Sequence, residues 1–116
     1  MDRDELRQRT KQFALRIIRL VSSLPRDKTG DVIGRQVLKS GTSIGANYRE
    51  ALRASSKKHF ISIVTIALRE ADETLYWLDL LAESNTVKPE LLTDLIDECN
   101  QLVAILAATV KTSRKN

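Results

Sequence analysis

SGTSIGANYREALRASSKKHF, residues 40–60, begins like a glycine-rich phosphate loop and ends like a charged helix. A phosphate-binding loop needs a lysine directly after its second glycine, but Ala46 follows Gly45 here. A dinucleotide fingerprint needs a strand in front of it, and no alternating apolar run precedes Gly41. What does run through the stretch is a helical period. Ile33, Val37, Ile44, Tyr48 and Ala51 recur on one side of a helix predicted over residues 32–54. At about 100° per residue, Gly34, Gly41 and Gly45 fall within roughly 40° of one another, next to Tyr48 and Leu52. Glycine costs up to about 1 kcal/mol in a helix interior, so three on one side call for a compensating close approach. The partner is either another helix of the same chain or a neighbouring subunit.

Reading outward, the same period appears three more times. Leu6, Phe13, Ile17, Leu20, Val21 and Leu24 mark a helix over residues 4–24, with Ala14 and Ile18 widening its stripe. Pro25 ends it, and Asp31 or Thr29 is placed to cap the next helix. Phe60, Ile63, Val64, Ala67, Ala71, Leu75, Leu78 and Leu81 mark a helix over 56–83. Pro89 suits a first helical position and opens a helix over 89–111, and TSRKN reads as a frayed tail. The junction near Ala54–Lys57 lacks a strong breaker, so one long bent helix is the alternative there. The expectation is an all-α, antiparallel up-down four-helix bundle forming a single domain over residues 1–116.

Composition limits the function. One cysteine, Cys99, allows no intrachain disulfide and fits a reducing cytoplasm. The charged start MDRDELRQRTK lacks a signal-peptide core, and no apolar run reaches the roughly 20 residues of a membrane span. With His59 the only histidine, no histidine-based metal cluster and no cofactor is expected. Cys99 lies on the apolar side of its helix and reads as a small core residue. Asp72 with Glu73, and Asp97 with Glu98, are helix neighbours pointing about 100° apart, so neither is a ready acid–base pair. A non-enzymatic protein is expected: an oligomeric module whose basic surface binds RNA or DNA or, alternatively, a protein-interaction scaffold or accessory subunit without nucleic-acid binding.

The net charge of +4 is unevenly spread. Residues 1–58 hold fourteen Lys/Arg against six Asp/Glu, a balance of +8; residues 59–116 hold five against nine, a balance of −4. Such halves allow self-association or an anionic partner for the basic side. Arg35, Lys39, Arg49 and Arg53 share a face opposite the apolar stripe of their helix, and Lys57 and Lys58 extend it. This row is a solvated face, a phosphate-binding surface for RNA or DNA, or a partner for acidic groups of a neighbouring subunit. Few aromatics interleave it, so base-specific reading is not expected. Asn47, Glu50, Glu70 and Glu73 suggest either a polar contact between the second and third helices that fixes their register or a ligand-binding role, the structural role being the first expectation. Tyr76 and Trp77 read as core or interface aromatics.

The segments SIGANYREA (43–51), RASSKKHF (53–60) and IALREADETLYWL (66–78) carry a resemblance. They are similar to a bacterial four-helix-bundle family, the 23S rRNA intervening-sequence proteins, over roughly Phe13 to Leu106. The patterns S-I-x-x-N-x-x-E and E-x-x-E-T-x-Y-W-L carry most of it; Ala51 stands where many members have glycine. The resemblance implies an up-down bundle assembled as a homopentameric ring. It also implies similarity to the accessory proteins of diversity-generating retroelements, which bind nucleic acid and a nucleic-acid-processing partner. The family name records where such a gene was found, and does not define an activity. Asn47, Glu50 and Glu73 fall on characteristic family positions, with structural roles implied.

Overall fold

The computed structural model describes residues 1–115. Four helices follow one another: α1 (Arg3–Ser22), α2 (Lys28–Ala51), α3 (Lys57–Glu83) and α4 (Pro89–Lys115). They contact in the cyclic order α1–α2–α3–α4–α1, with the α1–α4 seam the thinnest. The result is an all-α four-helix bundle measuring 46 × 21 × 19 Å.

Local chemistry sets the ends. Asp2 Oδ1 accepts from the Glu5 amide at 2.8 Å, Asp27 Oδ1 from the Gly30 amide at 2.8 Å, and Ser56 Oγ from the His59 amide at 3.1 Å. Each satisfies a first-turn donor that a helix cannot satisfy itself. Asp27 therefore caps α2, in place of the expected Asp31 or Thr29, and the helix starts four residues before residue 32. Gly30 then lies in the first turn, where a Cβ would come within 2.1 Å of the Pro25 carbonyl oxygen. The chain breaks between Ala51 and Lys57, so α2 and α3 are separate helices, not one bent rod. At the α3–α4 turn Asn85 takes φ 59°, the left-handed conformation that asparagine tolerates. The expected frayed tail is instead helical through Lys115. Its polar residues conceal this, but Val110 is buried and Ser113 half-buried.

The core draws on every helix: Phe13 and Ile17, Val37 and Ile44, Val64 and Leu78, Leu102 and Leu106 are at most 1% exposed. Each such side chain contributes about 1.5–3 kcal/mol through burial. Leu24 lies beyond the end of α1 yet still joins the core, while Ile18, expected on the apolar stripe, is exposed.

Three polar contacts fix the seams. Ser40 Oγ of α2 and Thr74 Oγ1 of α3 meet at 2.9 Å in full burial. Cys99 Sγ of α4 donates to the Ala71 carbonyl oxygen of α3 at 3.3 Å. Arg9 of α1 grips Glu98 of α4 through two nitrogens at 2.7 and 2.6 Å and also donates to Gln101 Oε1.

Candidate nucleic-acid interface

The order of the helices turns a division along the chain into one across the molecule. α1 and α2 pack side by side, as do α3 and α4, so the basic half of the sequence forms one side and the acidic half the other.

Arg35, Lys39, Arg49 and Arg53 are all exposed on or just beyond α2, and Lys57 and Lys58 are exposed at the start of α3. Among the described residues the ion pairs are Arg7–Asp4 and Arg9–Glu98, so none of these six cations has a carboxylate partner there. Alongside them, α1 and α2 enclose a surface groove of about 220 Å³. Ala14, Thr42, Gly45 and Ala46 form its floor, and Arg7, Lys11 and Arg49 flank it. The contribution of α1 was not anticipated from sequence. Its signal is the four-residue spacing of Arg7 and Lys11, but which helix that face meets becomes visible only in the fold.

Gly34, Gly41 and Gly45 face α1 of the same chain. A Cβ on Gly41 would lie 2.8 Å from Ile17 Cγ1, and one on Gly45 would lie 3.3 Å from Thr10 Oγ1. Tyr48, 2% exposed, continues this packing. No subunit contact is needed to account for these four residues.

The expected contact between Asn47 and a glutamate of α3 is absent. Asn47 Nδ2 donates to the Ser43 carbonyl oxygen of its own helix at 2.8 Å. The Ser40–Thr74 pair sets an antiparallel register that puts Asn47 level with Ala67, about 4.5 Å along the axis from Glu70 and about 9 Å from Glu73. Glu50 is exposed. Glu73 Oε2 accepts from Trp77 Nε1 at 3.2 Å. Glu70 is half-buried; its pKa is raised, first by burial and then by the charge of Glu73, against an opposing pull from Lys39. Trp77 is half-buried and Tyr76 is exposed, packed edge-on against it with ring centroids 5.2 Å apart. Tyr76 is therefore not a core aromatic.

Cys99 is fully buried, and burial, followed by the fields of Asp79, Asp72 and Glu98, pushes its thiol up to about 12. A nucleophilic thiol needs the opposite shift. Among the described residues no group of three or more His, Cys, Asp or Glu is placed to hold a metal ion. No helix among them is long and apolar enough to cross a membrane.

These features define a four-helix bundle with one cationic side. Residues 3–108 match the 23S rRNA-intervening sequence protein family, and the chain belongs to that family. It is also similar to a protein of unknown function from the S23 ribosomal protein family of Bacteroides thetaiotaomicron, known from a crystal structure. The two are 36% identical and superpose with a TM-score of 0.89 over 96% of this chain and 99% of that one. No curated protein matches the chain.

Proposed function

We propose that this protein is a non-enzymatic, cytoplasmic binding module that engages RNA or DNA through the outer face of α2 and assembles as a homo-oligomer, with a pentameric ring the expected form. The observation that carries the binding reading is the row Arg35, Lys39, Arg49 and Arg53, continued by Lys57 and Lys58. All six are exposed, and none has a carboxylate partner among the described residues of its chain. Unpaired cations on a rigid helix face attract a phosphate backbone without regard to sequence, and counterion release makes that attraction salt-dependent. The assembly reading rests on the opposed basic and acidic sides and on the family's motifs. A ring would present several copies of the row and strengthen a weak contact through multivalency.

The test is the double substitution Arg49→Gln with Arg53→Gln. Binding to unrelated RNA and DNA sequences should weaken alike, and the log–log salt slope should flatten by about one to two units. Light scattering on the same samples reads the assembly. A 13 kDa particle, the mass of one chain, would refute the oligomer. Loss of assembly in the double variant, with nucleic-acid binding intact, would reassign the row to pairing between subunits.

A further inference from the structure

The cation row on α2 has a gap. Arg35 and Lys39 lie one turn apart, as do Arg49 and Arg53, but ten residues separate Lys39 from Arg49, about 15 Å along the axis. Thr42, Ser43 and Ala46 occupy the outer face in between, and all of them are small.

The packing of α1 places charge at this gap. Gly41 meets Ile17 and Gly45 meets Thr10, so α1 runs antiparallel to α2 with Lys11 close to the level of Gly45 and Arg7 one turn further, near Arg49. Both line the groove together with Arg49. No carboxylate lines it. Arg7 is paired with Asp4 at 2.7 Å, but Asp4 is 74% exposed, so the pair is screened and weak. Arg16 and Arg19 of the same helix line a different hollow, towards Leu91 and Leu95 of α4.

We propose that the α1–α2 groove seats a phosphodiester of the bound nucleic-acid strand, with Lys11 and Arg7 bridging the gap in the cation row of α2. The inference rests on the nucleic-acid reading above and adds the path of the strand. Glycine packing brings the two helices close, the small floor lets a phosphate sink between them, and long cationic arms flank it from both sides. A concave cationic site focuses its field more strongly than a convex row. The track continues past the groove in both directions, and from Arg35 to Arg53 it runs about 27 Å. That length suits a strand and exceeds a small free anion.

The experiment measures anisotropy of a labelled, mixed-sequence single-stranded RNA at several salt concentrations with the full chain. Lys11→Gln should reduce the log–log slope by about 0.7, the value of one single-strand phosphate contact. Ala46→Leu fills the exposed floor without changing charge or helix propensity. It should weaken binding about tenfold, as expected for one lost charge-assisted contact. Arg19→Gln removes the same charge from α1 away from the groove and should leave the slope within about 0.2 of the wild-type value. If the wild-type chain binds and both Lys11→Gln and Ala46→Leu bind like it, the groove is not used and the inference falls while the nucleic-acid reading stands. If Lys11→Gln lowers the slope but Ala46→Leu has no effect, the cations act from the outer surface and the seat is refuted. A wild-type chain with no affinity at low salt would overturn both.

Discussion

The two halves of the bundle meet their neighbours by different chemistry. α2 approaches α1 through glycine, with Gly41 against Ile17 and Gly45 against Thr10. α3 approaches α4 at Ala71, with the Cys99 thiol turned onto the Ala71 carbonyl oxygen. Alanine keeps helix propensity and still allows close packing, whereas each glycine gives up about 1 kcal/mol of it. The glycine seam therefore marks where the helices come closer than a methyl group permits. The outer surfaces differ as well. The α1–α2 side carries unpaired cations on small residues, while the α3–α4 side is acidic and presents Tyr76 and Trp77.

Gly41→Leu is the strongest way to break this comparison. A branched side chain enters space where even a Cβ would clash with Ile17, and the loss should reach about 3 kcal/mol, the upper end of ordinary overpacking. Denaturant melts measure it, and an unchanged midpoint would show that the α1–α2 seam is loose. The next effect lies where the two halves join. Thr74→Val leaves the buried Ser40 hydroxyl without its partner and should cost about 2 kcal/mol. The double change, Thr74→Val with Ser40→Ala, should recover most of that loss, because both polar groups are then gone. A cycle in which the two losses simply add would refute Ser40–Thr74 as the register contact.

The smallest effect tests the α3–α4 seam. The folded Cys99 thiol titrates at about 12, while an unfolded thiol titrates near 8.5. Between these values the unfolded chain loses the proton and the folded one keeps it, so stability falls as pH rises. From pH 8 to 9.5 the loss attributable to this group should be about 1 kcal/mol. Cys99→Ala should fall less over the same range under reducing conditions. Parallel pH curves for the two proteins would mean that the thiol is hydrated.

Much of the fold was legible because apolar periodicity is a strong signal. All four helices and the core placement of Cys99 follow from it, and proline chemistry puts Pro89 at the first position of α4. The break after α2 did not follow from it, because the junction near Ala54–Lys57 carries no strong breaker and a single bent helix fitted the same pattern. Helix ends were harder to read. Asp27 and Asp31 are both plausible caps, and which one acts depends on where the chain turns after Pro25. The polar end of α4 has no apolar pattern of its own; it is held by burial of Val110 and Ser113 against the bundle. The exposed row on α2 was legible because charge opposite an apolar stripe faces outward. Arg7 and Lys11 were not connected with it, since α1–α2 register is a property of the folded chain. Asn47 shows the reverse error: a polar residue near an apolar face suggested a partner across the seam, but its side-chain amide donates to the Ser43 carbonyl one turn back in its own helix.

The Arg9–Glu98 clasp has a kinetic consequence. α1–α2, α2–α3 and α3–α4 are hairpins between consecutive helices, formed by closing short loops. The clasp joins residues 89 positions apart across the thinnest seam of the bundle. Contacts between distant positions carry the largest chain-closure entropy and form late, and sparsely packed regions open first in local unfolding. α1, which otherwise meets only α2, is thus expected to complete its docking last and to lift first. Native-state hydrogen exchange should find its amides the least protected of the four helices, and the groove it forms with α2 would open and close with it.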